Sequence, residues 1–170
     1  IIDLRLGLQK IAFGPGYILR PLSWFDTISF TDITGFTDGV KAMRFIYTPS
    51  NELSIWTWSM NSHSKLPSYG GRIELSNHLG NWGITYHRDS KNQLYLPIGL
   101  SLPDTADLDN LFIYDYRLVR ENSRLGFDYR YDGVIGFWTE NSFWFMSNDA
   151  IDVYFDKVYL SMIGLDYTIP

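Results

Sequence analysis

The chain contains no cysteine. Disulfide scaffolds and thiolate metal sites are therefore excluded. No run of 18 apolar residues occurs, so no transmembrane helix is expected. No segment sustains a 3.6-residue apolar spacing, and no helix is predicted anywhere. Positive charge is in deficit: 14 Lys and Arg stand against 19 Asp and Glu, for a net charge of −5. The isoelectric point is about 5.0, and nothing recommends a nucleic-acid partner. Serine-nucleophile motifs and phosphate-binding glycine loops are also missing. Met, a basic n-region and an apolar h-region are absent from the start, Ile1-Ile2-Asp3-Leu4. The expectation is a mature form or a piece of something longer.

Aromatic residues are plentiful: 12 Tyr, 11 Phe and 6 Trp, together 17% of 170 residues. The mean hydropathy is nevertheless −0.12. A chain rich in rings yet polar on average fits strands with one greasy and one wet face. The length allows a single domain.

Alternation with a period of two marks strands along the whole chain. The first is predicted over 2–13, where Leu4, Leu6 and Leu8 alternate with Asp3, Arg5, Gly7 and Gln9, with a phase break at Lys10-Ile11. A long Gly/Pro-punctuated connection over 14–38 follows, of a length that is usually functional. Further strands are predicted at 39–48, 52–60, 69–78 and 82–88, the last two joined by a tight turn at Leu79-Gly80-Asn81. Asp89 to Asn110 reads mainly as a loop, because Pro97, Gly99 and Pro103 argue against a central strand. Strands resume over 111–120, turn at Glu121-Asn122, and continue from Arg124 to the Asp132-Gly133 hairpin signal. Two more are predicted at 134–146 and 153–168, for eight or nine in all.

Alternation alone does not say which face is wet. A soluble sandwich puts its apolar face inward, and a membrane barrel inverts the order. Here the polar face carries both signs of charge, among them Arg72, Glu74, Arg124, Asp128, Arg130 and Glu140. The apolar face bears rings near strand ends (Tyr47, Trp82, Tyr86, Tyr131, Tyr167), where a membrane girdle sits. The fold class expected is an all-β, antiparallel, up-and-down transmembrane barrel.

Several stretches carry a family resemblance. They are Arg5-Leu6-Gly7-Leu8-Gln9-Lys10-Ile11 with Gly14-Pro15-Gly16, then Arg20-Pro21-Leu22-Ser23-Trp24-Phe25-Asp26, then Asp38-Gly39-Val40-Lys41-Ala42-Met43-Arg44-Phe45-Ile46-Tyr47. Together they resemble Gram-negative outer-membrane porins of the alginate-export and substrate-specific type. Arg124-Leu125-Gly126-Phe127-Asp128, Gly136-Phe137-Trp138-Thr139-Glu140 and Ile163-Gly164-Leu165-Asp166-Tyr167-Thr168 are similar to later strands of the same family. Leu8 departs from it, standing where the family has a second Arg. Such barrels have ~14–18 strands, so the resemblance implies that the eight or nine here are a partial set from a larger barrel.

The resemblance implies a passive outer-membrane channel for small hydrophilic, anionic or saccharide solutes. It needs no cofactor, and its partners are membrane lipid and lipopolysaccharide. Arg5, Arg20, Arg44, Arg72, Glu74, Arg124, Asp128, Arg130 and Glu140 would line the pore. Tyr17, Trp24, Phe25 and Asp26 would lie on an infolded constriction loop. For any one of these residues, a structural salt bridge or a ring anchoring the loop is the plainer role. Asp26, Asp32 and Asp38 lack the dense alternation of a calcium loop. His63, His78 and His87 lack close metal-ligand spacing. The alternative is a soluble extracellular β-sandwich that binds or cleaves polysaccharide through Trp56, Trp58, Trp138 and Glu140. Glu74 and Glu140 are the only glutamates on strong inward positions, and a carboxylate pair serves glycoside hydrolysis when ~5–9.5 Å apart.

Overall fold

A computed structural model describes residues 1–16, 20–25, 39–61, 67–93, 119–146 and 157–167. Among them eight strands form one antiparallel sheet, and no helix occurs. They are β1 (Ile2–Gln9), β2 (Val40–Tyr47), β3 (Leu53–Asn61), β4 (Pro67–Asn77), β5 (Gly80–Gln93), β6 (Val119–Tyr131), β7 (Ile135–Met146) and β8 (Lys157–Tyr167). Each pairs with the next in sequence, an up-and-down meander. The sheet is not closed: no ladder joins β1 to β8 among the described residues.

The connections divide by end. At one end they span 48–52, 78–79 and 132–134; at the other, 10–39, 62–66, 94–118 and 147–156.

Strand faces follow the predicted alternation with burial inverted. On β5, Trp82, Ile84 and Tyr86 are exposed while Gly83, Thr85 and His87 are buried. Among the described residues, eight hydrophobic side chains are buried against twelve polar or charged ones, and twenty-five large hydrophobics are exposed. The core lies on the polar face of the sheet. Ile11, Phe13, Leu22, Trp24 and Phe25, from the chain after β1, cluster there with Ala42, Trp58 and Trp144.

Several element boundaries differ from expectation. β1 stops at Gln9 rather than at 13, because Ile11 and Phe13 leave the ladder to enter the core. The β4–β5 turn is His78-Leu79, and Gly80 already opens β5 with a φ of +129°, a left-handed backbone that favours glycine. β5 runs on to Gln93, through residues read as loop, with a register shift between Asp89 and Asn92. Glu121-Asn122 is no turn but lies inside β6. The first error carried the signal of Pro97, Gly99 and Pro103, all beyond Gln93, back to Asp89; the second took polar residues for a turn. Asp and Asn are turn-formers on a water-facing strand, but here Asp89 and Asn122 point to the inner face and bond there to Arg124. The strand predicted over 111–118 and the calcium candidates Asp26, Asp32 and Asp38 lie outside the described residues.

Candidate functional site

The inner face is the candidate site, and the strand registers arrange it in transverse rows. One row reads Arg5, Arg44, Trp58, Gly70, His87, Arg124, Trp144 across β1 to β7. The next reads Asp3, Ile46, Trp56, Arg72, Thr85, Gly126, Ser142. Cations and rings therefore meet directly across strands.

Two buried ion networks hold the middle strands together. Arg72 grips both oxygens of Asp128 (2.6 and 2.9 Å), and also donates to Glu74 (2.7 Å) and Thr85 (2.7 Å). Arg124 donates to Asp89 (2.5 Å) and Asn122 (2.9 Å) and lies over the Trp144 ring at 4.1 Å. Trp58 donates its indole N–H to His87 Nδ1 (3.1 Å), so His87 Nε2 carries a proton toward Asp89 Oδ1 at 2.9 Å. Such burial is tolerated because each charge has both a partner and further hydrogen bonds.

The chain after β1 folds onto this face. Glu140 is 0% exposed and accepts the backbone N–H groups of Gly16 (2.5 Å) and Leu22 (3.3 Å). Trp24 donates its indole N–H to Ser142 (3.1 Å) and Pro21 O (3.1 Å). Phe13 stacks on Trp58 with centroids 5.7 Å apart, and Phe25 meets the His87 ring edge-on at 4.7 Å. Arg72 lies over Phe13 at 5.2 Å, so the segment is held by cation–π contact as well. Gly126 is its seat: a Cβ there would come within 2.5 Å of Leu22 Cδ2 and 3.2 Å of the Trp24 ring.

The predicted site residues thus part into groups. Arg72, Arg124, Asp128 and Glu140 are buried and engaged with one another's networks or with the segment. Glu74 is taken by Arg72, and Arg130 by Asp132 (2.7 Å) and Asp166 (3.4 Å). Arg20 is half-buried on the segment and donates to Phe13 O at 3.4 Å. Arg5 is exposed and pairs with Asp3 at 2.8 Å. Arg44, directly opposite it, is 6% exposed, donates to Lys10 O at 3.4 Å and lies 5.4 Å from the Trp56 centroid. Trp24 and Phe25 are buried; Tyr17 and Asp26 lie outside the described residues.

The residues of the alternative reading are divided as well. Trp58 and Glu140 are covered by the segment, whereas Trp56 and Trp138 are half-exposed. His63 lies outside the described residues, and His78 is exposed in the β4–β5 turn. Among the described residues, no group of three or more His, Asp or Glu is placed to hold a metal ion.

Sequence reasoning missed Asp89, Ser142 and the seat at Gly126. Asp89 was within reach: carrying the period of two on from Gly83, Thr85 and His87 puts it on the inner face. Gly126 gave no signal, since nothing in sequence links it to Leu22. Protein-family models, curated proteins and solved structures provide no match to this chain, so the inner face and its covering segment stand on their own chemistry.

Proposed function

We propose that the chain forms wall and constriction of an outer-membrane β-barrel channel, passing small hydrophilic solutes of anionic or saccharide type without cofactor or energy input. The observation that carries this reading is the inverted burial: Leu4, Leu6, Ile73, Ile84, Ile163 and Leu165 exposed, and Arg72, Arg124, Asp128 and Glu140 buried. A soluble monomer avoids so large an apolar surface. Covering each such side chain contributes ~1.5–3 kcal/mol, and acyl chains of lipid are the cover this face fits. The environment is the bacterial outer membrane, with lipid and lipopolysaccharide around the wall.

Strand length supports the same reading. β4 to β8 have 11 to 14 residues each, enough for the ~9–11 that a tilted span requires. Edges cannot stay unpaired in hydrocarbon, so β1 and β8 need neighbours. A closed eight-stranded barrel is filled by its own side chains, and this inner face carries a covering segment besides. The eight strands are then part of a larger, even-numbered barrel. Barrels of this class have short periplasmic turns and longer outer loops. The connections 48–52, 78–79 and 132–134 then face the periplasm, and residues 10–16 and 20–25 narrow the lumen from the outer side.

Selectivity would rest where charge is least neutralised. Arg5 and Arg44 face each other across β1 and β2 with Asp3 as their nearby acid. Replacing Arg5, Arg20 and Arg44 together by Ala is expected to lower the anion-to-cation permeability ratio in planar-bilayer recordings. An unchanged ratio would remove these residues from the selectivity mechanism. The barrel itself fails if the folded chain stays in aqueous solution without detergent.

A further inference from the structure

The outer face has a polar island at mid-strand on β7 and β8, apart from the Arg88, Glu121 and Ser123 group near the ends of β5 and β6. Outward positions along β7 run Phe137, Thr139, Asn141, Phe143, so two polar residues interrupt a row of rings at mid-strand. Asn141 Oδ1 accepts from the hydroxyls of Tyr159 (2.8 Å) and Ser161 (2.8 Å) on β8. Its amide nitrogen donates to Thr139 Oγ1 (3.1 Å), and the Thr139 hydroxyl donates to Met162 O (2.9 Å). The surroundings are apolar: Phe127 stands opposite Asn141 on β6, and the Phe143 and Tyr159 rings stack 4.5 Å apart. Tyr129, opposite Thr139 on β6, spends its hydroxyl on Leu79 O (2.6 Å), and Thr57 lies four strands away on β3, in the row of Phe143.

We propose that this island is the centre of a two-fold interface with a second copy of the chain within the membrane. The proposal rests on the reading of this face as lipid-facing wall. An amide carries two N–H hydrogens, and only one of Asn141's has an acceptor among the described residues. The hydroxyl oxygens of Tyr159 and Ser161 keep lone pairs after donating to Asn141. Acyl chains offer neither donor nor acceptor, and hydroxyl and amide groups facing protein in a membrane are what bind segments to one another.

Spare donor and spare acceptors sit on one patch, so the patch complements itself. A two-fold axis through it satisfies both copies at once, amide to hydroxyl and hydroxyl to amide. Phe137, Phe143 and Tyr159 then form the apolar rim. A further strand paired to the β8 edge does not replace this contact. It would flank Ser161 and Tyr159, but Thr139 and Asn141 lie one strand farther in, with β8 between.

The absence of native cysteine makes the test direct. Single-cysteine chains Thr139→Cys and Ile84→Cys, both keeping Asn141, are reconstituted in vesicles and oxidised. Ile84 is outward and in the same transverse row as Asn141, two strands away on β5. Residues at a two-fold axis meet themselves, so position 139 should form disulfide dimers at least tenfold faster than position 84. In a second measurement, sedimentation in detergent, the cysteine-free protein should be dimeric, and Asn141→Leu should raise its dissociation constant at least tenfold. Equal cross-linking at both positions, a monomeric parent protein, or an Asn141→Leu chain that dimerises as before would each overturn the interface. A chain folded in water without detergent would instead overturn the wall reading.

Discussion

Glu140 accepts two backbone N–H groups that have left any strand ladder, and it does so in full burial. A carboxylate is acceptor-only, so it suits a turn that presents only donors. Gly14 belongs to the same fit. Its φ is +88°, and a Cβ there would collide with the Glu140 carboxylate. Glu140→Gln puts an amide donor against a backbone donor and leaves one N–H unpaired, at a cost of ~1–3 kcal/mol. Hydrogen exchange at Gly16 and Leu22 should then accelerate by roughly 5- to 150-fold, and unchanged exchange would mean that the carboxylate does not hold the segment. The inward direction of Glu140 was legible from alternation with Gly136, Trp138 and Ser142. Its partners lie 118 and 124 residues away, beyond the reach of any local pattern.

At the level of elements, β4, β5 and β6 are bound by ladders and by the buried pair Arg72–Asp128, which spans β5 through Thr85. A Cβ at Gly83 would collide with this pair, so the glycine between them on β5 gives the ions their room. Removing one partner strands a buried charge, whereas removing both with apolar residues of similar volume is close to neutral. Arg72→Met alone should therefore cost ~3–5 kcal/mol, and Arg72→Met with Asp128→Leu should recover most of it. Urea unfolding of the detergent-refolded protein measures both; equal losses in single and double variants would deny the coupling. The strands were largely legible because period-two alternation survives inversion of the faces. Their ends were not. The rule that Asp and Asn mark turns assumes that polar residues seek water, and on β5 and β6 Asp89 and Asn122 bond to Arg124 instead.

For the whole molecule, the decisive contrast is between two populations of rings. Trp82 is exposed on the outer face, whereas Trp24, Trp58 and Trp144 are buried on the inner side, and Trp56 and Trp138 are half-exposed there. In vesicles with brominated acyl chains, tryptophan quenching should come chiefly from Trp82. Trp82→Phe is expected to abolish most of that quenching and leave the remaining emission unaltered. Quenching that survives the substitution would put lipid against the inner face instead, and the channel reading would fail. The same contrast ties function to fold: the face that would meet solute is held by paired charges, and the face that would meet lipid carries the apolar side chains.

Period-two spacing by itself determined that the described strands are β-structure, and which residues share a face. That follows from the pleat, which sends successive side chains to opposite sides whatever the surroundings. Tertiary structure alone decided that the charged face is the buried one. It also decided that Phe13, Trp24 and Phe25 return to cover that face, and that Glu140, Ser142 and Gly126 receive them. Those choices rest on contacts between residues a hundred or more positions apart, where the energy lies in how a carboxylate, a ring and a glycine fit together rather than in any local pattern.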